Sequence, residues 1–204
     1  APKQERVQFF TAKQAQQLAA DGAIIVAEEL NGQNSASERA GVEDKAVLLV
    51  ANGSYQLEQM LVAAQRLAEQ GQPYRLVYIQ EPGRFRRPRD RWEAEQSAPA
   101  ALQQALFGGR WRAAVGLSHM RPEVFYGHLA PLWAEIPLVR TLGYINRGGT
   151  LDDFGMQFAN HATWAHVLDA LAPALGEGFA LSPDEQQAVA GQGDPLCLKA
   201  ALRA

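Results

Sequence analysis

The chain has 204 residues, 47% of them apolar and 20% charged, with a formal net charge of -3. That size and balance suit one α/β domain with a buried core, spanning residues 1–204, and exclude any global electrostatic pull toward nucleic acid or a membrane. The single cysteine, Cys197, excludes an internal disulfide framework and a cysteine-rich zinc site, and it points to a reducing, cytoplasmic setting.

No run is apolar enough to span a bilayer, and no signal peptide is visible. The chain begins Ala1-Pro2-Lys3 without an initiator Met, which suggests processing, tagging or excision from something longer. In chain order, Thr11 reads as an N-cap for a short helix over Ala12 to Ala20, closed near Gly22. Ala23 to Ala27 reads as a strand, and the polar, small-residue stretch Asn31 to Asp44 as a loop. Ala46 to Ala51 is a continuous apolar run, the pattern of a strand buried on both faces of a parallel sheet. Asn52-Gly53-Ser54 turns into the clearest helix, where Leu57, Met60, Leu61, Ala64 and Leu67 recur at helical spacing before Gly71 closes it.

Tyr74 to Ile79 is the next expected strand. A basic loop, Arg84 to Arg91, leads to a helix from about Pro99 to Phe107, broken at Gly108-Gly109. Ala113 to Leu117 reads as a strand, Pro122 to Trp133 as a helix with Pro in its first turn, and Leu138 to Leu142 as a strand. His161 to Leu175 reads as helical. Ser182 with Glu185 has capping-box spacing for a last short helix. Strand and helix alternate from residue 46 onward, which argues for a mostly parallel sheet with helices on both faces.

Four places could carry chemistry. Gly53 and Ser54 sit where a buried strand becomes a helix, and free N–H groups there can hold phosphate. No G-x-G-x-x-G or Walker pattern supports this, and a tight turn with Ser54 as N-cap is the simpler reading. Arg84, Arg86, Arg87, Arg89 and Arg91, beside Phe85 and Trp92, suit an anion or a protein interface; the plain alternative is a solvated loop paired with Glu81, Asp90, Glu93 and Glu95. His119, between Ser118 and Arg121 after a strand, lies at the ligand-bearing edge of a parallel sheet. A Ser–His hydrolase reading lacks a G-x-S-x-G elbow, so a structural or interface histidine is favoured. His161 and His166, five apart and expected on different helix faces, do not match zinc spacing, and no metal site is expected.

The fourth place is the run from Gly143 to His166. Gly148-Gly149 give the backbone freedom to turn, and Thr150, Asp152 and Asp153 can cap the next helical segment. Gly143, Tyr144, Gly148, Thr150, Phe154, Met156, Asn160 and His166 fall without a gap on a segment of the phosphoketolases, so this run resembles the C-terminal domain of that family of thiamine-diphosphate enzymes related to transketolase. The Asp44-to-Gly53 stretch and Leu61 to Leu67 resemble the same domain, and the similarity covers most of residues 3–175. The chain departs from the family pattern at Gly149 to Asp153, at Gly155 and at Trp164. Pyruvate dehydrogenase E1 and transketolase carry the same type of terminal domain.

The resemblance implies a three-layer α/β sandwich whose five-stranded sheet is mostly parallel, with one antiparallel strand. It implies that thiamine diphosphate and Mg²⁺ belong to the other domains of a parent enzyme: the G-D-G cofactor motif is absent from this sequence, so the chain alone should bind no cofactor and catalyse no ketose cleavage. The expected partners are those remaining domains and a second copy in a homodimer, with no nucleic acid or membrane. Contact candidates are Gly53, Ser54, His119, Arg121, Asn146, Arg147, Gly148, Gly149 and Thr150, with no catalytic or metal-binding residue. The alternatives are a regulatory module that binds phosphate or a nucleotide, a terminal domain of a pyruvate dehydrogenase E1-like enzyme, and, last, an independent hydrolase.

Overall fold

The computed structural model describes residues 9–30, 46–145, 149, 151–192 and 195–202. The expected loop from Asn31 to Asp44 lies outside them, as do the site candidates Asn146, Arg147, Gly148 and Thr150.

Helix α1 (Ala12–Asp21) leads into strand β1 (Ala23–Glu29). Thr11 caps α1 with a complete capping box to Gln14, and Gly22 at φ 75° ends it. Strand β2 (Val47–Asn52), helix α2 (Ser54–Glu69) and strand β3 (Tyr74–Ile79) come next. A single 3-10 turn at Pro82–Phe85 precedes α3 (Arg91–Gln96) and α4 (Ala100–Phe107). Then come β4 (Ala113–Ser118), α5 (Pro122–Trp133) and β5 (Val139–Leu142). The chain closes with α6 (Asp153–Ala159), α7 (Trp164–Leu175), α8 (Pro183–Val189) and α9 (Pro195–Ala201).

The five strands form one sheet in the order β1-β3-β2-β4-β5. The β3-β2-β4-β5 part is parallel, and β1 runs antiparallel along β3 with an irregularity between Ile25 and Ala27. This is the expected mixed sheet. Strand β2 lies at its centre, buried at all six positions, which is why its sequence shows no alternation.

Alternate residues of the sheet feed two cores. Val47, Leu49, Leu76, Val115 and Leu117 pack under α2 and α7, against Leu57, Met60, Leu67, Leu168 and Leu171. Leu48, Val50, Val77, Ile79 and Ala114 face the other way, onto Phe85, Phe107, Phe125, Leu129 and Trp133. The result is three layers, helix–sheet–helix. Cutting a fully buried leucine such as Leu48 or Leu49 to alanine costs about 2–5 kcal/mol in such a core.

Long-range polar contacts tie the layers. Gln59 Oε1 of α2 accepts the N–H of Trp164, the first residue of α7, at 3.0 Å. It supplies the cap that the Thr163 side chain does not. Arg66 Nε of α2 meets Glu185 Oε1 of α8 at 2.8 Å, while Glu185 Oε2 accepts the Ser182 N–H at 2.6 Å in the expected capping box.

Two local expectations need correction. Ser54 is not the N-cap of α2: Gly53, at φ 109°, takes that place without a side-chain cap, and Ser54 is the first helical residue. The helix expected from His161 to Leu175 begins only at Trp164. His161 instead sits at φ 55° in the turn between α6 and α7, a left-handed conformation rare outside glycine. No helix among the described residues is long and apolar enough to cross a membrane.

Candidate functional site at the carboxyl edge of the sheet

After β2 the chain adds β3 on one side, then crosses to add β4 on the other. The carboxyl ends of β2 and β4 therefore flank a topological switch point, where open α/β sheets place ligands. Asn52 and Ser118, the last residues of these strands, stand opposite each other in register. Asn52 Nδ2 donates to the Ile79 carbonyl at 2.8 Å, and Ser118 Oγ donates to Asn52 Oδ1 at 3.0 Å. The Met120 N–H donates to the same hydroxyl at 3.0 Å. Ser118 is thus a buried strut across three strand ends, not an exposed nucleophile, and the hydrolase reading has no geometric support.

His119 comes directly after it. Its N–H donates to the Asn52 carbonyl at 3.2 Å, and its ring Nδ1 lies 3.3 Å from the same oxygen. A Cβ on Gly53 would lie 3.2 Å from that Nδ1 and would overlap Gln56 Oε1. Gln56 therefore folds its carboxamide oxygen back over the start of α2. The Tyr78 phenol hydrogen-bonds the Gly53 backbone. The N-terminus of α2, where the sequence offered a phosphate cradle as the less simple of two readings, is covered by Gln56 of the helix itself, with Tyr78 of β3 bonded to the same backbone.

The segment after β5 closes the site. A Cβ on Gly143 would collide with the backbone oxygens of Met120 and Ser118, so only glycine lets this segment pass the β4–α5 turn so closely. The Tyr144 N–H then donates to Met120 O at 3.0 Å. Asn160 clamps the segment from α6, its Oδ1 accepting the Ile145 N–H at 2.9 Å while its Nδ2 donates to Met156 O at 2.8 Å. Gly149 lies in a bend with open space around its Cα and no left-handed φ, so nothing described requires glycine there.

These elements form an open cavity of about 150 Å³ whose lining includes Tyr55, Gln56, His119, Tyr144, Asp153, Gln157 and Asn160. The Tyr55 phenol hydrogen-bonds to Asp153; that bond, then the carboxylate's charge, raises the phenol's pKa. Burial, seconded by Asp153, likewise raises Glu58. Gln157 is 7% exposed, and its Oε1 has no hydrogen-bond partner among the described residues.

Of the sequence candidates, the structure brings Gly53, Ser54 and His119 together at this edge. Arg121 begins α5, is exposed and pairs with Glu123 at 3.3 Å, away from the cavity lining. Sequence reasoning missed Tyr55, Gln56 and Gln157. The one available signal was Gln157 itself, a polar residue three positions after Phe154 on the buried face of α6.

The basic loop follows its plain reading in part, with ion pairs to Glu93 and Glu95, while Asp90 caps α3 instead. Arg86 and Arg89 both bind Glu93, Arg91 pairs with Glu95 at 3.2 Å, and Arg84 donates to the Ala20 carbonyl at 2.7 Å. Phe85 belongs to the core, and Trp92 is the exposed aromatic of this segment. His161 and His166, expected on different helix faces, have ring centroids 5.1 Å apart because the turn at His161 folds one imidazole onto the other. His166 is buried, and its Nδ1 lies 2.8 Å from Thr163 Oγ1. Two larger open grooves lie elsewhere: one of about 1130 Å³ along α4 and α5 toward the amino ends of β4 and β5, and one of about 710 Å³ between the Phe85–Pro88 loop, α3 and α5. They carry no comparable convergence of buried polar groups.

The class this fold defines is a transketolase-like α/β domain. Compared over 83% of its length with transketolase from Leishmania mexicana, the chain superposes with a TM-score of 0.50 at 14% identity. A split-gene transketolase, described as an inactive beta4 tetramer, is matched at 0.48 and 16% identity over 75% of this chain, and transketolase from Campylobacter jejuni subsp. jejuni at 0.44 and 17% over 76%. The chain spans 21%, 42% and 19% of those three chains. No protein-family model matches the sequence, and no curated protein matches it either.

Proposed function

We propose that this domain works as the C-terminal part, or a separate subunit, of a thiamine-diphosphate enzyme of the phosphoketolase or transketolase kind. It is non-catalytic alone and supports homodimer formation and access to the active site. The observation that carries this reading is the fold match: 83% of this chain superposes on a transketolase while covering 21% of it, as one domain of a multidomain enzyme would. The gap-free run from Gly143 to His166 favours the phosphoketolase side of that pair. Its residues serve as structure: Gly143 passes the β4–α5 turn, Phe154 is buried, and Asn160 holds the Ile145 N–H.

Among the described residues no group of three or more His, Cys, Asp or Glu side chains converges as a metal site. In this reading thiamine diphosphate and Mg²⁺ stay with the remaining domains, in the cytoplasm. Exposed Tyr55, Tyr144, Ile145 and Leu151 around the carboxyl edge offer the aromatic and aliphatic surface that a partner domain covers.

The regulatory reading, with phosphate or a nucleotide on Gly53 and Ser54, fits less well because Gln56 Oε1 lies over Gly53. A pyruvate dehydrogenase E1-like parent remains the alternative for the chemistry. The test mixes the chain with the thiamine-binding part of the parent enzyme and measures ketose cleavage. Activity is expected in the mixture and not in either part. Tight binding of thiamine diphosphate to the pure chain in calorimetry would overturn the division of labour.

A further inference from the structure

We infer that the trough between α4 and α5 is a docking site for an amphipathic helix of a partner protein, whose apolar face packs on Ala130 and Pro131 and whose carboxylates meet Arg87 and Arg112. The first observation is a gap in a helical layer. On one face of the sheet α2 and α7 pack on each other. On the other face α4 and α5 flank two grooves, of about 1130 and 710 Å³, which share Ala100, Gln103 and Pro131 and so run together as one open trough. Helix α5 is 12 residues long, roughly 18 Å from end to end. A third helix of about three turns matches that length.

The second observation is what lines the trough. Ala100, Gln103 and Phe107 come from one side of α4. Gly127, Ala130, Pro131 and Ala134 follow at helical spacing along one face of α5. All four residues of the α5 row are exposed, and a Cβ on Gly127 would meet nothing within 4 Å. Side chains this small let another helix axis approach to the about 8–10 Å of packed helices. Helix α4 contains no Asp, Glu, Lys or Arg and α5 only Glu123, whereas a helix turned to water carries charge on its outer face.

The third is charge, and it selects the occupant. Arg87 lines the smaller groove and Arg112 the larger, and neither has an ion-pair partner among the described residues. Arg86 and Arg110 line the trough too, Arg86 being engaged by Glu93, and Glu135 is the one carboxylate among the described lining residues. The trough is thus basic on a chain of net charge -3. A partner bearing carboxylates meets two open cations there. A second copy turned onto the same trough would set arginine against arginine. Single-stranded nucleic acid needs exposed aromatic rings on which to stack its bases, and the described aromatic lining, Phe85, Phe107 and Trp111, is buried.

The test uses the full chain alone, so its result stands whether or not the domain completes a thiamine enzyme. The probe is a fluorescein-labelled peptide of about 12 residues, lactam-stapled to be helical before it binds. It carries Leu and Ala on one face and Glu beside them; a matched peptide has Lys at each Glu position. Saturable anisotropy with the Glu peptide is expected, about tenfold tighter than with the Lys peptide and weaker at high salt. Amide shifts should appear at Gln103, Gly127 and Ala130 and not at Tyr144. Ala130→Glu, at an exposed position, should weaken the Glu peptide about tenfold without lowering Tm. Arg87→Glu combined with Arg112→Glu should invert the preference toward the Lys peptide, a readout that a variant failing to fold would not give. No saturable binding of the Glu peptide, equal affinity for both peptides, an unaffected Ala130→Glu variant, or the same amide shifts with a single-stranded oligodeoxynucleotide would overturn the inference.

Discussion

Ser118 Oγ lies 3.0 Å from Asn52 Oδ1, adding a side-chain link between the carboxyl ends of two neighbouring parallel strands. Asn52 passes the link on to β3 through the Ile79 carbonyl at 2.8 Å. Three strand ends are thereby fixed beneath the cavity. Ser118→Ala removes the donor to Asn52 and the acceptor for the Met120 N–H. It should lower stability by about 1–3 kcal/mol, the cost of leaving buried partners unpaired. Urea unfolding with an unchanged slope measures it. A serine-directed probe should leave Ser118, which is 1% exposed, unlabelled.

Gly143→Ala places a methyl group against the backbone oxygens of Met120 and Ser118, neither of which can rotate away. Overpacking of this kind costs about 1–3 kcal/mol. The Tyr144 N–H to Met120 O bond should be lost with it. Faster hydrogen exchange of the Tyr144 amide, together with a lowered Tm, is the expected result; an unchanged exchange rate would show that the segment has room for a methyl group at the turn.

His166 makes the fold sensitive to mild acid. Burial, and then repulsion from His161, holds its pKa down to about 4, from an ordinary 6.5. The unfolded chain takes up a proton near 6.5 while the folded chain resists until about 4, so the unfolded state binds more protons across that window. Stability therefore falls as pH drops from 6.5 to 4 and levels off below, by on the order of 3 kcal/mol. His166→Gln should flatten that part of the curve, read as the difference between the two proteins' urea midpoints from pH 7 to 4.

Glu93 acts at lower pH and in the carboxylate sense. The Arg89 side chain, first, then the Arg89 backbone N–H and the charges of Arg86 and Arg89 hold its pKa down to about 2, from an ordinary 4.5. Its contribution is complete above about 4.5 and is lost as pH falls through about 2. Glu93→Gln should remove the pH dependence of that window, and high salt should reproduce part of the effect because Arg89 is exposed. A wild-type acid transition that the substitution leaves unshifted would sink this assignment.

The elements of this protein were legible in its sequence because their signals are local. Thr11 with Gln14 and Ser182 with Glu185 write two capping boxes within four residues each. The unbroken apolar run of β2 marks a central strand, and Leu57, Met60, Ala64 and Leu67 mark the buried face of α2. Where only a short-range preference was at stake, the reading could still slip by one residue, as at Ser54, because Gly53 reaches the N-cap backbone without a side chain.

The site was far less legible. His119 comes just after a strand, so its place at the carboxyl edge could be read, whereas Gln157 and Tyr55 come from helices far apart along the chain. Ser118 invited a nucleophile reading until its hydroxyl was seen spent on Asn52, 66 residues away. Gln59 caps a helix 105 residues on, and His161 meets His166 only because one residue turns left-handed between two helices. Periodicity and capping act over a few residues, so the sequence by itself determined strands, helices and the parallel α/β class. Strand order, which strand runs antiparallel, the covering of the α2 N-terminus and the bridge between Ser118 and Asn52 depend on contacts between distant segments, and only the tertiary structure decided them.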